Sequence, residues 1–161
     1  MFRPSSDVVH CIDFSPDGHL TASGTFGSMY LIIWNWRDGT RKTLEGVEPD
    51  INDIRFSPNG QYIAAGMDYG PASVLIWNVR TGQLVEKLTR DAYEWVYSIA
   101  FMPDGMGLVS AGAPPNAVRL WDISLFGMDS SVSQLRNGRM EVDNSKEFVN
   151  FGGDEVRRFC L

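Results

Sequence analysis

The side chains able to do chemistry are few. The chain has two histidines, His10 and His19, and two cysteines, Cys11 and Cys160. His10 and Cys11 adjoin in a stretch that reads as a strand, so they point to opposite faces and cannot form a nucleophile–base pair. His19 follows a Pro-Asp-Gly turn, where a satisfied or solvent-facing imidazole is the plainer reading than a catalytic base. The cysteines sit near the two ends with no CxxC or Cys/His metal spacing, and read as reduced thiols packed as small apolar groups. Gly105-Met106-Gly107 with Ser110 has the composition of a phosphate loop, but it follows a hairpin turn and leads into a strand rather than a helix. Asp50 and Asp53 flank one strand start and read as two surface carboxylates, with metal binding as the sharper alternative. No catalytic residue, cofactor or metal is expected.

The bulk numbers narrow the classes further. At 161 residues, with 43% hydrophobic and 21% charged side chains, the chain is long enough for one domain with a real core. A net charge of −6, with neither half basic, argues against direct nucleic-acid binding by phosphate neutralisation. No run of about 18 apolar residues is present, so no membrane span is expected. The first residues, Met1 to Asp7, lack a secretory apolar stretch. The expectation is an intracellular protein, in the nucleus or the cytoplasm.

The elements that position these residues come from an internal repeat. Three segments align. Ile12-Asp13-Phe14-Ser15-Pro16-Asp17-Gly18 is followed by Ala22-Ser23-Gly24 and Leu31-Ile32-Ile33-Trp34-Asn35. Ile54-Arg55-Phe56-Ser57-Pro58-Asn59-Gly60 is followed by Ala64-Ala65-Gly66 and Val74-Leu75-Ile76-Trp77-Asn78. Ile99-Ala100-Phe101-Met102-Pro103-Asp104-Gly105 is followed by Ser110-Ala111-Gly112 and Val118-Arg119-Leu120-Trp121-Asp122. Trp34, Trp77 and Trp121 are 43 and 44 residues apart, the period of one four-stranded propeller blade. The pairs Pro16/Gly18, Pro58/Gly60 and Pro103/Gly105 mark tight turns, proline presetting φ and glycine taking positive φ. First strands are predicted over 9–14, 51–56 and 96–101, second strands over 20–24, 62–66 and 108–112, and more polar fourth strands over 40–44 and 83–89. The apolar runs ending in Trp34 and Trp77 call for strands covered on both faces, which neighbouring blades provide. A plain β-sandwich is the alternative that equal spacing of three matched modules disfavours.

These residues resemble the WD-repeat family, over about residues 7–123. The resemblance implies a propeller, most often of seven blades, acting as a rigid platform for other proteins. It also implies a buried hydrogen-bonded set of Asp, His, Ser or Thr, and Trp. Here the Trp is kept three times, and the Ser position is read as Ser23, Ala65 and Ala111. The Gly-His pair before the first strand is absent, and the loop Asp is replaced by Gly27 and Pro115 in blades one and three. Blades held mainly by apolar packing are therefore expected. Ile51 to Asn78, and Phe148 to Val156, are also similar to parts of the fungal Tup-type transcriptional corepressors, relatives of Groucho, without the His of their blade-entrance motif.

The expected fold is thus all-β: a partial propeller of about three four-stranded blades, near 7–44, 48–89 and 93–123. A polar loop is expected over 124–147, and one or two strands of an incomplete fourth blade over 148–161. Three blades cannot close a ring. The open faces call for a larger propeller of which this is a fragment, a poor fourth blade, or pairing with other chains or another copy of itself. The resemblance implies that loops entering first strands gather on one rim with those joining second and third strands. Phe26, Asp50, Tyr69, Tyr93, Trp95 and Pro115 are the candidate protein-binding residues there, with Asp91 and Glu94 beside the aromatics. The alternative for Trp95 is packing between blades. The function expected is a non-catalytic scaffold that binds proteins or peptide segments, in the form of a corepressor-like fragment. The other readings are an enzyme with a central-channel site built from His10, Asp13, Asp53 and Arg55, and a truncated remnant without activity of its own.

Overall fold

Three hairpin turns of one design begin the architecture. In the first, Ser15 N–H donates to Leu20 O (2.9 Å) and Gly18 N–H to Ser15 O (2.8 Å). The Ser15 hydroxyl accepts from Leu20 N–H (2.8 Å) and donates to Asp17 Oδ1 (2.6 Å). Ser57, Asn59, Gly60 and Tyr62 repeat this set around the second turn. In the third, Met102 stands where serine did, and the main-chain bonds Met102 N–H to Gly107 O and Gly105 N–H to Met102 O carry the turn. Gly18, Gly60 and Gly105 have φ of 68°, 69° and 72°, which a side chain would strain.

The structure is a computed structural model. It describes residues 8–27, 30–44, 46, 50–68, 74–89, 95–113 and 117–124, together with the backbone of 146–150; Phe26 and Ala117 are likewise described by backbone alone. The strands are β1 (Val8–Phe14), β2 (Leu20–Phe26), β3 (Leu31–Asn35), β4 (Arg41–Leu44), β5 (Ile51–Phe56), β6 (Tyr62–Met67), β7 (Val74–Asn78), β8 (Leu84–Leu88), β9 (Trp95–Phe101), β10 (Gly107–Ala113), β11 (Ala117–Asp122) and β12 (Lys146–Asn150). They form three antiparallel four-stranded sheets in sequence order: β1–β4, β5–β8 and β9–β12. The first strands β1, β5 and β9 lie side by side, and each is bulged once against its second strand, near His10, Asn52 and Tyr97.

The third sheet revises the sequence boundaries. Lys146–Asn150 pairs with β11, Arg119 opposite Glu147 and Leu120 opposite Lys146, so this segment is the outer strand of blade three. Sequence boundaries had divided it between a polar loop and the start of a fourth blade. The pairing needs only a short extended segment to take up the edge of β11, and no turn motif announces such a strand. Residues 125–145 and 151–161 lie outside the described residues.

Two apolar layers hold the sheets together. Ala22, Leu31 and Ile33 of blade one pack against Ile54, Phe56, Ile63, Ala65, Leu75 and Trp77 of blade two. Ala64, Val74 and Ile76, on the opposite face of blade two, pack against Val96, Ile99, Leu108 and Trp121 of blade three. The run Val74-Leu75-Ile76-Trp77 is thereby explained: alternate residues serve opposite neighbours, and all four are fully buried.

Close approach between blades depends on two glycines. A Cβ at Gly24 would lie 2.6 Å from Cys11 Sγ and 2.9 Å from Ile51 Cγ2; one at Gly66 would lie 2.7 Å from Val96 Cγ1 and 3.3 Å from Ile99 Cγ2. In each case the second strand of one blade admits an apolar side chain from the first strand of the next. Gly66→Ala is expected to force blades two and three apart and cost about 1–3 kcal/mol, an overpacking penalty readable as a lowered urea midpoint.

Candidate protein-binding rim and blade junctions

The strand register gathers one end of each blade on a common rim. Val8 pairs with Phe26, Ile51 with Met67 and Trp95 with Ala113, so the starts of first strands and the ends of second strands lie together. Of the residues singled out by sequence, Phe26 ends β2 and Trp95 opens β9. Asp50 precedes β5, with φ of 73°. Its carbonyl accepts from Asp68 N–H at 2.8 Å, and its carboxylate accepts from Gly27 N–H at 2.6 Å, tying blade two to blade one. Tyr69, Tyr93 and Pro115, with Asp91 and Glu94, fall outside the described residues.

Trp95 and Tyr97 are each 38% exposed, with ring centroids 6.4 Å apart and planes inclined by 38°. Sequence reasoning missed Tyr97 because attention stopped at the strand entrance, although alternation from Trp95 places the two side chains on one face. Further along the same rim, Asn52 Nδ2 donates to Asp68 Oδ1 at 3.2 Å, and His10 Nδ1 lies 3.3 Å from Ile51 O.

Two carboxylates of the first strands are engaged between blades. Asp13 of blade one accepts from Phe56 N–H of blade two at 2.7 Å. Asp53 of blade two accepts from Ile99 N–H (2.9 Å) and the Ser98 hydroxyl (3.1 Å) of blade three, and from its own neighbour Ile54 N–H (3.0 Å). Arg55 Nη1 lies 2.7 Å from Asp53 Oδ1 and also donates to Ile54 O. Burial pushes the Asp53 carboxyl above the ordinary carboxylate range; the Ile99 N–H, the Arg55 charge and the Ser98 hydroxyl pull it back only in part. Asp53, read from sequence as a surface carboxylate, is in fact buried, because the blade three first strand covers it. Cys11 packs against the first apolar layer, and burial raises its thiol to about 12. Among the described residues, no three His, Cys, Asp or Glu side chains are placed to hold a metal ion.

The Trp residues carry a second buried polar contact. Trp34 Nε1 donates to Ser23 Oγ at 3.4 Å, and Trp121 Nε1 to Ser110 Oγ at 2.9 Å. The serine position of blade three is therefore Ser110, not Ala111. Matching the Ala-Gly dipeptides misaligns this blade by one residue; counting from the turn glycine, five positions lead to Ser23, Ala65 and Ser110 alike. The residue after each Trp caps the next turn: Asn35 Oδ1 accepts from Arg37 N–H, Asn78 Oδ1 from Thr81 N–H and Asp122 Oδ1 from Ser124 N–H.

Four-stranded antiparallel sheets, stacked face to face with their first strands side by side, define blades of a β-propeller. The chain belongs to the WD domain, G-beta repeat family: the family model matches residues 2–35, 39–78 and 82–122, more than half of the chain. The second and third matches each begin just before the outer strand of one sheet (β4 or β8) and end on the third strand of the next, so one sequence repeat spans two blades. Similar proteins include the small ribosomal subunit protein RACK1 of Schizosaccharomyces pombe, 29% identical over 72% of this chain and 38% of that protein. The telomerase Cajal body protein 1 of Bos taurus is 32% identical over 86% of this chain and 26% of that protein. The periodic tryptophan protein 2 homologue of Schizosaccharomyces pombe is 26% identical over 90% of this chain and 16% of that protein. The chain thus spans well under half the length of these relatives.

Removing the Asp53 carboxylate leaves Ile99 N–H buried without its acceptor. Asp53→Ala is expected to lose about 1–3 kcal/mol in urea unfolding. The sign of the pH effect follows from the raised folded-state value. The contribution of Asp53 is fully present below its unfolded pKa and is lost as pH rises through the folded one. Asp53→Asn removes this titration, so the stability difference between wild type and Asp53→Asn should shift against the wild type as pH rises through that window. Paired unfolding curves across the acidic range check it.

Proposed function

We propose that this chain serves as a non-catalytic protein-interaction scaffold, with the rim around Trp95, Tyr97 and Asp50 as its contact surface. The observation that carries this reading is the pair Trp95 and Tyr97, two exposed aromatic rings held on a strand at the rim. Aromatic side chains on a rigid support make favourable anchors, since they offer large contact area with little conformational freedom to lose. Asp50, bound to Gly27 across the blade boundary, stiffens that rim and adds a carboxylate at its edge. The occupant proposed is a peptide or protein segment with an apolar or basic side chain for the aromatic pair.

Membership of the family supports a scaffold over an enzyme, as does the use of Asp13 and Asp53 in junctions between blades, with Arg55 paired to Asp53 within its own blade. The names of two relatives, a small ribosomal subunit protein and a telomerase Cajal body protein, refer to larger assemblies. By that likeness an intracellular setting, in the cytoplasm or the nucleus, is part of this proposal. Among the described residues, no helix is long and apolar enough to cross a membrane. A corepressor form of the role rests on the likenesses of residues 51–78 and 148–156 and gains no support from these relatives.

Selection from a displayed random-peptide library tests the reading. Peptides chosen by the wild-type chain should bind Trp95→Ala, alone and with Tyr97→Ala, at least about tenfold more weakly, while the thermal unfolding curve stays in place. Retained affinity in the double variant would remove the rim from the function.

A further inference from the structure

A cleft between blades one and two, at the end of the strands where the first strands finish, has a charge pattern that its counterpart lacks. It holds about 680 Å³, and its lining includes Leu20 and Lys42 of blade one with Asn59, Gln61, Asn78 and Arg80 of blade two. No carboxylate is among the described residues that line it, although the chain as a whole has a net charge of −6. The counterpart between blades two and three follows from register. Ile33 pairs with Lys42 and Ile76 with Glu86, so Glu86 stands where Lys42 does. Counting from Gly60 and Gly105, and from Trp77 and Trp121, puts Asp104 at the Asn59 position, Asp122 at the Asn78 position and Ser124 at the Arg80 position. Positions that are acidic at the second junction are thus basic or neutral at the first, and Arg80 adds a further cation.

The polar groups in this cleft are donors. Lys42 Nζ donates to Val79 O (3.1 Å) and Arg80 O (2.6 Å), main-chain carbonyls of the turn after β7. These contacts hold the ammonium at the cleft without cancelling its charge, and an ammonium has a further N–H beyond the two they use. The lysine stem rests on Gly82, where a Cβ would lie 3.1 Å from Lys42 Cδ. Across the cleft, Asn59 Oδ1 accepts from the Ser57 hydroxyl (2.7 Å) and from Gln61 N–H (3.0 Å), and Gln61 Oε1 accepts from Asn59 Nδ2 (3.4 Å). The amide oxygens are engaged within the turn, so what these side chains offer a ligand is N–H. Arg80 is exposed and carries donors only. Among the described residues, no carboxylate pairs with Lys42 or Arg80.

We propose that this cleft binds the phosphate of a phosphorylated serine or threonine on a partner protein. A phosphate monoester brings about two negative charges and oxygens that accept strongly, which matches two cations set among amide donors. A carboxylate, with a single charge, leaves one of the cations uncompensated. The surroundings favour a protein segment over a small phosphate compound. Gly60, on the cleft wall, adjoins Pro16, whose Cδ lies 3.6 Å from where a Gly60 Cβ would stand. In that same turn Gly18 O accepts from Trp36 Nε1 at 2.8 Å. Trp36 is 49% exposed, and the Arg37 guanidinium carbon lies 5.2 Å from its ring centroid. An exposed aromatic next to the cleft offers the residues flanking the phosphate an anchor. Asp17 and Asp38, the acids of these turns, accept from hydroxyl and N–H groups of their own turns. The site lies at the opposite end of the strands from the Trp95 rim and does not rest on the reading of that rim.

A peptide library with phosphoserine fixed at its centre, screened against the full chain, supplies the probe. Selected peptides should bind at least about tenfold more tightly than the same peptides with serine or glutamate at that place, by fluorescence anisotropy. Arg80→Ser and Asn59→Asp copy the residues that blade three carries at these positions, so the turns keep their design. Each should weaken the phosphopeptide at least about tenfold while the thermal unfolding curve stays in place. Trp95→Ala, at the other end, should leave this affinity unchanged. Failure to select any peptide, equal binding of phosphoserine and glutamate forms, or affinity that persists in Arg80→Ser and Asn59→Asp would overturn the proposal. Inorganic phosphate or inositol hexakisphosphate bound as tightly as the peptides would overturn its assignment to a phosphorylated protein.

Discussion

A propeller blade has two apolar faces and cannot bury either by itself. This constraint shapes the rest of the molecule. Blade two, with neighbours on both sides, has Val74, Leu75, Ile76 and Trp77 all at 0% exposure, and Ile54, Ile63, Ala64 and Ala65 likewise. Blade one has one described neighbour, and its first strand is open at Ile12 and Phe14. Identical residue types at equivalent positions thus differ in burial because of what stands beside them. Stability in such an array resides in the junctions as much as in the sheets, the behaviour expected of repeats that touch only their neighbours.

The junctions are apolar layers with a small polar seam. First strands pair on one side only, so alternate N–H groups face the adjacent blade and need acceptors. Asp13 and Asp53 answer this need from different registers, and Asp53 is balanced by Arg55. The carboxylates thereby fix how far one blade slides along the next, which apolar contact alone leaves loosely specified. Gly24 and Gly66 set the distance of approach and the carboxylates set the register. With those two quantities held, the strand starts, and Trp95 and Tyr97 among them, are carried on a common rim.

The turns and the tryptophans were legible as local chemistry. Pro-Asp-Gly and Pro-Asn-Gly announced the first hairpins, and the Trp-Asn and Trp-Asp endings announced the third strands. The serine partner of Trp121 was legible too, by counting from Gly105; attention to the Ala-Gly dipeptide hid it. Asp53 looked like a surface carboxylate because a sequence carries no sign of the strand that covers it. Tyr97 escaped notice because attention stopped at the strand entrance, although alternation from Trp95 puts both rings on one face. Lys146–Asn150 escaped as an outer strand because edge pairing is satisfied by almost any short extended segment, with no obligatory residue types.

By itself, then, the order of amino acids determined the repeat, its period, its turns and the apolar character of its inner strands, since each depends on neighbours a few positions away. Tertiary structure alone decided which carboxylate meets which N–H, where glycine is indispensable, which strand closes the third sheet and which apolar residues stay in water. Those outcomes depend on distances between segments some forty residues apart along the chain, and such distances exist only once the sheets have stacked.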